Sequence, residues 1–157
     1  YSRRLKVLFG QKMIIISHRA NLFGPDPDNE NRPEQILKVL AMGYDVEIDV
    51  WLTEEGWFLG HDKPQYKIEI DFLLTSRLWC HAKNVAALQE LTLMDVVAFW
   101  HQKDDFTLTT NNFIWTYPGQ TLTYSSICVL PENSNQNFKK CAGICTDYPI
   151  KYGELGL

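Results

Sequence analysis

His18, Arg19, Glu47, Asp49 and His61 lie in one stretch of the sequence, each next to or within an apolar segment. Histidine is the side chain best suited to give and take protons near neutral pH. Two imidazoles beside a divalent cation and an arginine suggest phosphoryl chemistry. The cation and Arg19 would neutralise phosphate oxygens, one imidazole would deprotonate the nucleophile, and the other would protonate the leaving oxygen. A structural ion pair is the plainer role for Arg19.

Glu47 and Asp49 stand two apart in V-E-I-D-V, so on a strand they point the same way. Two carboxylates facing an interior repel each other unless a cation sits between them. Oxygen ligands of this kind suit Mg2+ or Ca2+. A solvated face is the alternative, and Trp51 on the same face argues against it.

All four histidines follow apolar runs: I-I-I-S before His18, W-F-L-G before His61, L-W-C before His81 and V-A-F-W before His101. Active sites of parallel α/β folds form at the C-terminal ends of strands. A histidine that merely caps a strand end by a hydrogen bond is the alternative, above all for His81 and His101.

The elements that must position these groups follow from periodicity. Residues 13–17 form a continuous apolar, β-branched run, as in a strand buried on both faces. Residues 21–32 are a Pro/Asp/Asn-rich loop. Pro33 suits a first helical position, Ile36, Leu37, Val39 and Leu40 mark the apolar face, and Gly43 stops the helix. Residues 46–52 alternate as a strand, and 57–60 return as the second arm of a hairpin. A short helix is expected over 70–76, a strand over 78–81, a helix over 85–91 behind the N-cap Asn84, and a strand over 96–101. Short strands over 106–110, 113–117, 127–130 and 143–145 follow, separated by Asn-Asn, Pro-Gly and Pro-Glu-Asn breaks. Strands alternating with helices predict parallel βαβ units. A full (β/α)8 barrel usually takes about 250 residues. The fold class expected is α/β; if the sheet closes as a barrel, it is a reduced (β/α) TIM-type barrel with few helices in its second half.

A chain of 157 residues suffices for one domain with a real core, and 45% hydrophobic against 22% charged residues predicts a folded, soluble protein. A net charge of −4 disfavours nucleic acid and anionic membranes as partners. No apolar run approaches the roughly 20 residues of a membrane span. Residues 1–12 are read as an upstream extension or an expression remnant, and 13–157 as a single barrel domain. Cys80, Cys128, Cys141 and Cys145 are too sparse for a disulfide scaffold, so they are expected to be reduced in a cytoplasmic protein. Cys141 and Cys145 lack a second pair with zinc spacing.

Taken in order, His18-Arg19, Glu30-Asn31, Glu47-x-Asp49, Thr53-x-x-Gly56 and His61-Asp62 resemble the glycerophosphodiester phosphodiesterase family, which shares the barrel of phosphatidylinositol-specific phospholipase C. Thr146-Asp147-Tyr148-Pro149 resembles the end of that family's last strand. The resemblance covers the first third of the chain well and the middle weakly. It implies that His18 and His61 are the acid/base pair, that Glu47 and Asp49 bind metal, and that Arg19 and Lys83 contact phosphate. The family's third acidic ligand is His81 here, which would bind the metal itself or leave the position to water; Glu132 is a weaker substitute. Ala20 stands where the family usually has glycine. The function expected is metal-dependent hydrolysis of a small glycerophosphodiester or similar polar phosphodiester. A non-catalytic phosphate or sugar-phosphate binding module, and a lyase of the same fold that forms a cyclic phosphate, are the alternatives.

Overall fold

The computed structural model describes residues 12–157, so residues 1–11 of the N-terminal extension lie outside the described residues. Ten strands form one curled sheet. They are β1 (Ile14–His18), β2 (Asp45–Thr53), β3 (Gly56–Leu59), β4 (Tyr66–Ile68), β5 (Leu78–Ala82), β6 (Val97–Phe99), β7 (Phe106–Leu108), β8 (Ile114–Thr116), β9 (Ser126–Val129) and β10 (Gly143–Thr146). Four short helices accompany them among the described residues: α1 (Pro33–Ala41), α2 (Ile70–Leu73), α3 (Val85–Leu93) and α4 (Pro149–Glu154).

Seven strands run parallel in the order β6-β5-β2-β1-β10-β9-β8. β7 is antiparallel to β8, and the β3–β4 pair continues antiparallel from the far half of β2. This corrects the expected (β/α) TIM-type barrel: the molecule is a curled, mixed β-sheet, a half-barrel with few helices. A helix-covered barrel needs an amphipathic crossover after nearly every strand. The segments after β7, β8 and β9 instead carry the Asn-Asn, Pro-Gly and Pro-Glu-Asn breaks, which favour turns over helical propagation. No strand pair joins β6 to β8 among the described residues. Thr110 hydrogen-bonds across that seam: its N–H donates to Ala98 O, its Oγ1 accepts from Ala98 N and donates to Val96 O, each at 2.9 Å.

The helices follow their sequence signals. α1 starts at Pro33 and buries Ile36, Val39 and Leu40. α3 is capped by Asn84, whose side chain accepts from Ala87 N at 3.0 Å. These faces pack on Val46, Ile48 and Val50 of β2, the outward half of its alternation. The concave side holds a different core, rich in aromatic rings. Trp79 lies 5.6 Å from Phe113 and 6.0 Å from Trp115, and Phe99 stacks on Trp115 at 4.3 Å between centroids. This aromatic floor is bulky and rigid. The ionisable groups stand above it.

Candidate metal and acid/base site

The concave half of β2 carries Glu47 and Asp49, both buried. Register brings their partners alongside: His18 opposes Glu47 across the β1–β2 pair, and His81 opposes Asp49 across the β2–β5 pair. Lys83 follows two residues after His81. The strand alternation read from the sequence therefore places these residues as expected, in a sheet whose overall form differs from expectation.

Glu47, Asp49 and His81 each offer one ligand atom, and these atoms lie within 4.8 Å of one another. His81 Nδ1 is 3.2 Å from Asp49 Oδ1 and 3.6 Å from Glu47 Oε1. Asp49 Oδ1 is buried and makes no well-formed hydrogen bond. An orphaned carboxylate oxygen between a second carboxylate and an imidazole nitrogen fits a divalent cation. Arg19 Nε and Lys83 Nζ stand 3.4 and 3.5 Å from the Asp49 carboxylate. Burial would raise the Asp49 carboxyl, but His81, Arg19 and Lys83 outweigh it and hold it well below the usual carboxylate range. Burial likewise opposes a charge on His81; nearby Asp49 and Glu47 prevail and push its imidazole up to about 9.

His18 is fixed from the other side. Its Nδ1 is 2.7 Å from Asp147 Oδ1, and its Nε2 is 3.9 Å from Glu47 Oε2. Burial disfavours its charged form, yet Asp147 and Glu47 raise its pKa above the ordinary value, and Asp147 is lowered in return. His61 follows β3, with Nδ1 2.7 Å from Asp62 Oδ1. Gly60 before it has φ +150°, and a Cβ there would lie 2.2 Å from Lys63 O, so only glycine fits. Gly60 O accepts from Trp51 Nε1 at 2.6 Å, which ties the His61 turn to β2.

His18, Arg19, Glu47, His61, His81 and Lys83 line one cavity of about 540 Å³, whose opposite wall includes His101, Trp115, Tyr117 and Asn133. The structure thus brings every predicted site residue except the fully buried Asp49 onto one surface, and Asp49 lies directly beneath it. Arg19 is less free than expected, because Nη1 also contacts Glu30 Oε2 at 3.3 Å. Glu132 is engaged elsewhere: its two oxygens accept from Thr146 Oγ1 and Asp147 N, each at 2.9 Å.

The supporting residues had no assigned role in the sequence reading. Asn31 holds Asp49, Asp147 holds His18, and Asn21 donates to both Glu30 and Asp147 at 2.8 Å. The signal existed in E-N and T-D-Y-P, which carried the resemblance without a stated task. Arg19, Ala20 and Asn31 all have φ between 53° and 68°. Left-handed backbone is costly for Ala in particular, which gives a physical reason why glycine suits position 20. The four cysteines are free and buried, and no described helix is long and apolar enough to cross a membrane. No protein-family model, curated protein or solved structure matches the chain.

Proposed function

We propose that the protein is a metal-dependent phosphodiesterase acting on a small, polar phosphodiester of the glycerophosphodiester kind. The observation that carries this reading is the convergence of His18, His61, Arg19 and Lys83 on the cavity that also holds the Glu47–Asp49–His81 cluster. A binding module needs the cation and a phosphate-contacting base; two further imidazoles, each anchored by an aspartate, are surplus to binding.

Arg19 and Lys83 would draw the phosphate to the Asp49 edge of the cavity. Glu47, Asp49 and His81 would hold a divalent cation, which when bound supplies positive charge against the phosphate oxygens. With Nδ1 of His18 and His61 engaged by Asp147 and Asp62, each ring leaves Nε2 for proton transfer. One imidazole takes the proton of the attacking oxygen. As the phosphorus–oxygen ester bond breaks, the other gives a proton to the departing alcohol, leaving a phosphomonoester. The free, buried cysteines accord with a reducing, cytoplasmic setting.

The test is hydrolysis of glycerophosphocholine and an aryl phosphodiester with added divalent ions or EDTA, products followed by phosphorus NMR. Turnover that needs the ion and disappears in Glu47→Gln is the expected result. A cyclic phosphate as the final product would replace the hydrolase by a lyase. Phosphate binding without turnover by folded protein would overturn the catalytic reading in favour of a binding module.

A further inference from the structure

His81 differs from the other site histidines in which nitrogen is anchored. His18, His61 and His101 each engage an aspartate through Nδ1, at 2.7, 2.7 and 2.8 Å. His81 instead uses Nε2, 2.8 Å from His101 O. A carbonyl oxygen only accepts, so Nε2 carries the proton. In the neutral ring the Nδ1 lone pair is then aimed at the carboxylates of Glu47 and Asp49. The ring cannot easily turn away, because it stacks on Phe99 at 5.1 Å with 12° between planes. Three electron-rich atoms thus meet at one point, and one of them is nitrogen.

We infer that this centre selects a first-row transition-metal dication, of the Mn2+ to Zn2+ class, with His81 Nδ1 as a ligand, over Mg2+ or Ca2+. This rests on the cation site of the proposed function and specifies its occupant. Mg2+ and Ca2+ favour oxygen donors, whereas imidazole suits the later divalent metals. The two bases point the same way. Arg19 and Lys83 already neutralise part of the Asp49 charge, which weakens a purely electrostatic hold on a hard cation. A metal with stronger affinity for nitrogen is less disadvantaged. The His101 carbonyl acts here as a positioning group, since it sets the His81 tautomer.

The test uses the full chain stripped with EDTA. Mn2+, Zn2+, Mg2+ and Ca2+ are titrated by calorimetry, and the Mn2+ form is examined by pulsed electron paramagnetic resonance for nitrogen coupling. Wild-type protein should bind Mn2+ and Zn2+ at least about tenfold more tightly than Mg2+ or Ca2+, with nitrogen coupling in the Mn2+ spectrum. His81→Glu, or His81→Gln if the former does not fold, should lose that coupling and the preference together. Glu47→Gln should weaken every ion. Equal or tighter binding of Mg2+ or Ca2+, or bound Mn2+ without nitrogen coupling, overturns the selectivity while leaving the phosphodiesterase reading to be judged by turnover. Nitrogen coupling that persists in the His81 variant also overturns it, since another imidazole would then be the donor. Folded wild-type protein that binds no ion overturns the inference and the metal dependence alike.

Discussion

Asn31 and Asp49 exchange two hydrogen bonds: Asn31 Nδ2 donates to Asp49 Oδ2 at 2.8 Å, and Asp49 N donates to Asn31 Oδ1 at 2.9 Å. The pair fixes both the backbone and the carboxylate of a residue with no solvent exposure. Asn31→Ala would leave the buried Asp49 amide without its Asn31 partner and Asp49 Oδ2 with only the Arg19 ion pair, and would put alanine at φ 60°. The expected cost is about 2–3 kcal/mol in urea unfolding, with metal affinity about tenfold weaker by calorimetry.

Asp147 governs which nitrogen of His18 is available. In Asp147→Asn the amide would offer a donor or a neutral acceptor in place of the carboxylate, and His18 would lose the hydrogen bond that most favours its charged form. Turnover should fall about 100-fold or more, while the melting temperature moves little beside that of a core variant. Activity within a few-fold of wild type would remove His18 from the acid/base role.

The His61 turn depends on Gly60. Gly60→Ala combines a φ of +150° with a Cβ pressed against Lys63 O. Loss of about 1–3 kcal/mol is expected, together with a drop in kcat, because His61 follows directly. Gly43→Ala is the control for backbone strain alone, since its φ is also positive but a Cβ there meets nothing within 4 Å.

The pH dependence of metal-free protein should report His81. Its folded pKa, about 9, lies above the ordinary 6.5 because Asp49 and Glu47 outweigh burial. A raised pKa means that this contribution to stability is full below pH 6.5 and is lost as pH rises through 9. The loss is bounded at about 3 kcal/mol. Urea midpoints in EDTA should fall over that window in wild type and fall less in His81→Gln.

Strand alternation made the site legible before its setting was. Glu47 and Asp49 share a face because a strand has period two, whatever sheet it joins, and His18 and His81 arrive beside them by register. Sheet closure was not legible. It depends on whether distant segments form helices or loops, and the breaks at Asn111, Pro118 and Pro131 decide that through long-range packing. The roles of Asn31 and Asp147 were hidden for another reason. Their partners lie 18 and 129 residues away, and no local pattern encodes such a hydrogen bond. β4 and α4 were missed as well, being three and six residues long with little periodicity to read.

Thr110 has an importance out of proportion to its size. Without its hydroxyl, the N–H of Ala98 and the C=O of Val96 would stand open along the outer margin of β6. Such a margin is a template on which a foreign strand can dock. The Thr110 hydroxyl therefore separates a completed rim from an open one, and Thr110→Val should first betray itself as self-association at high concentration.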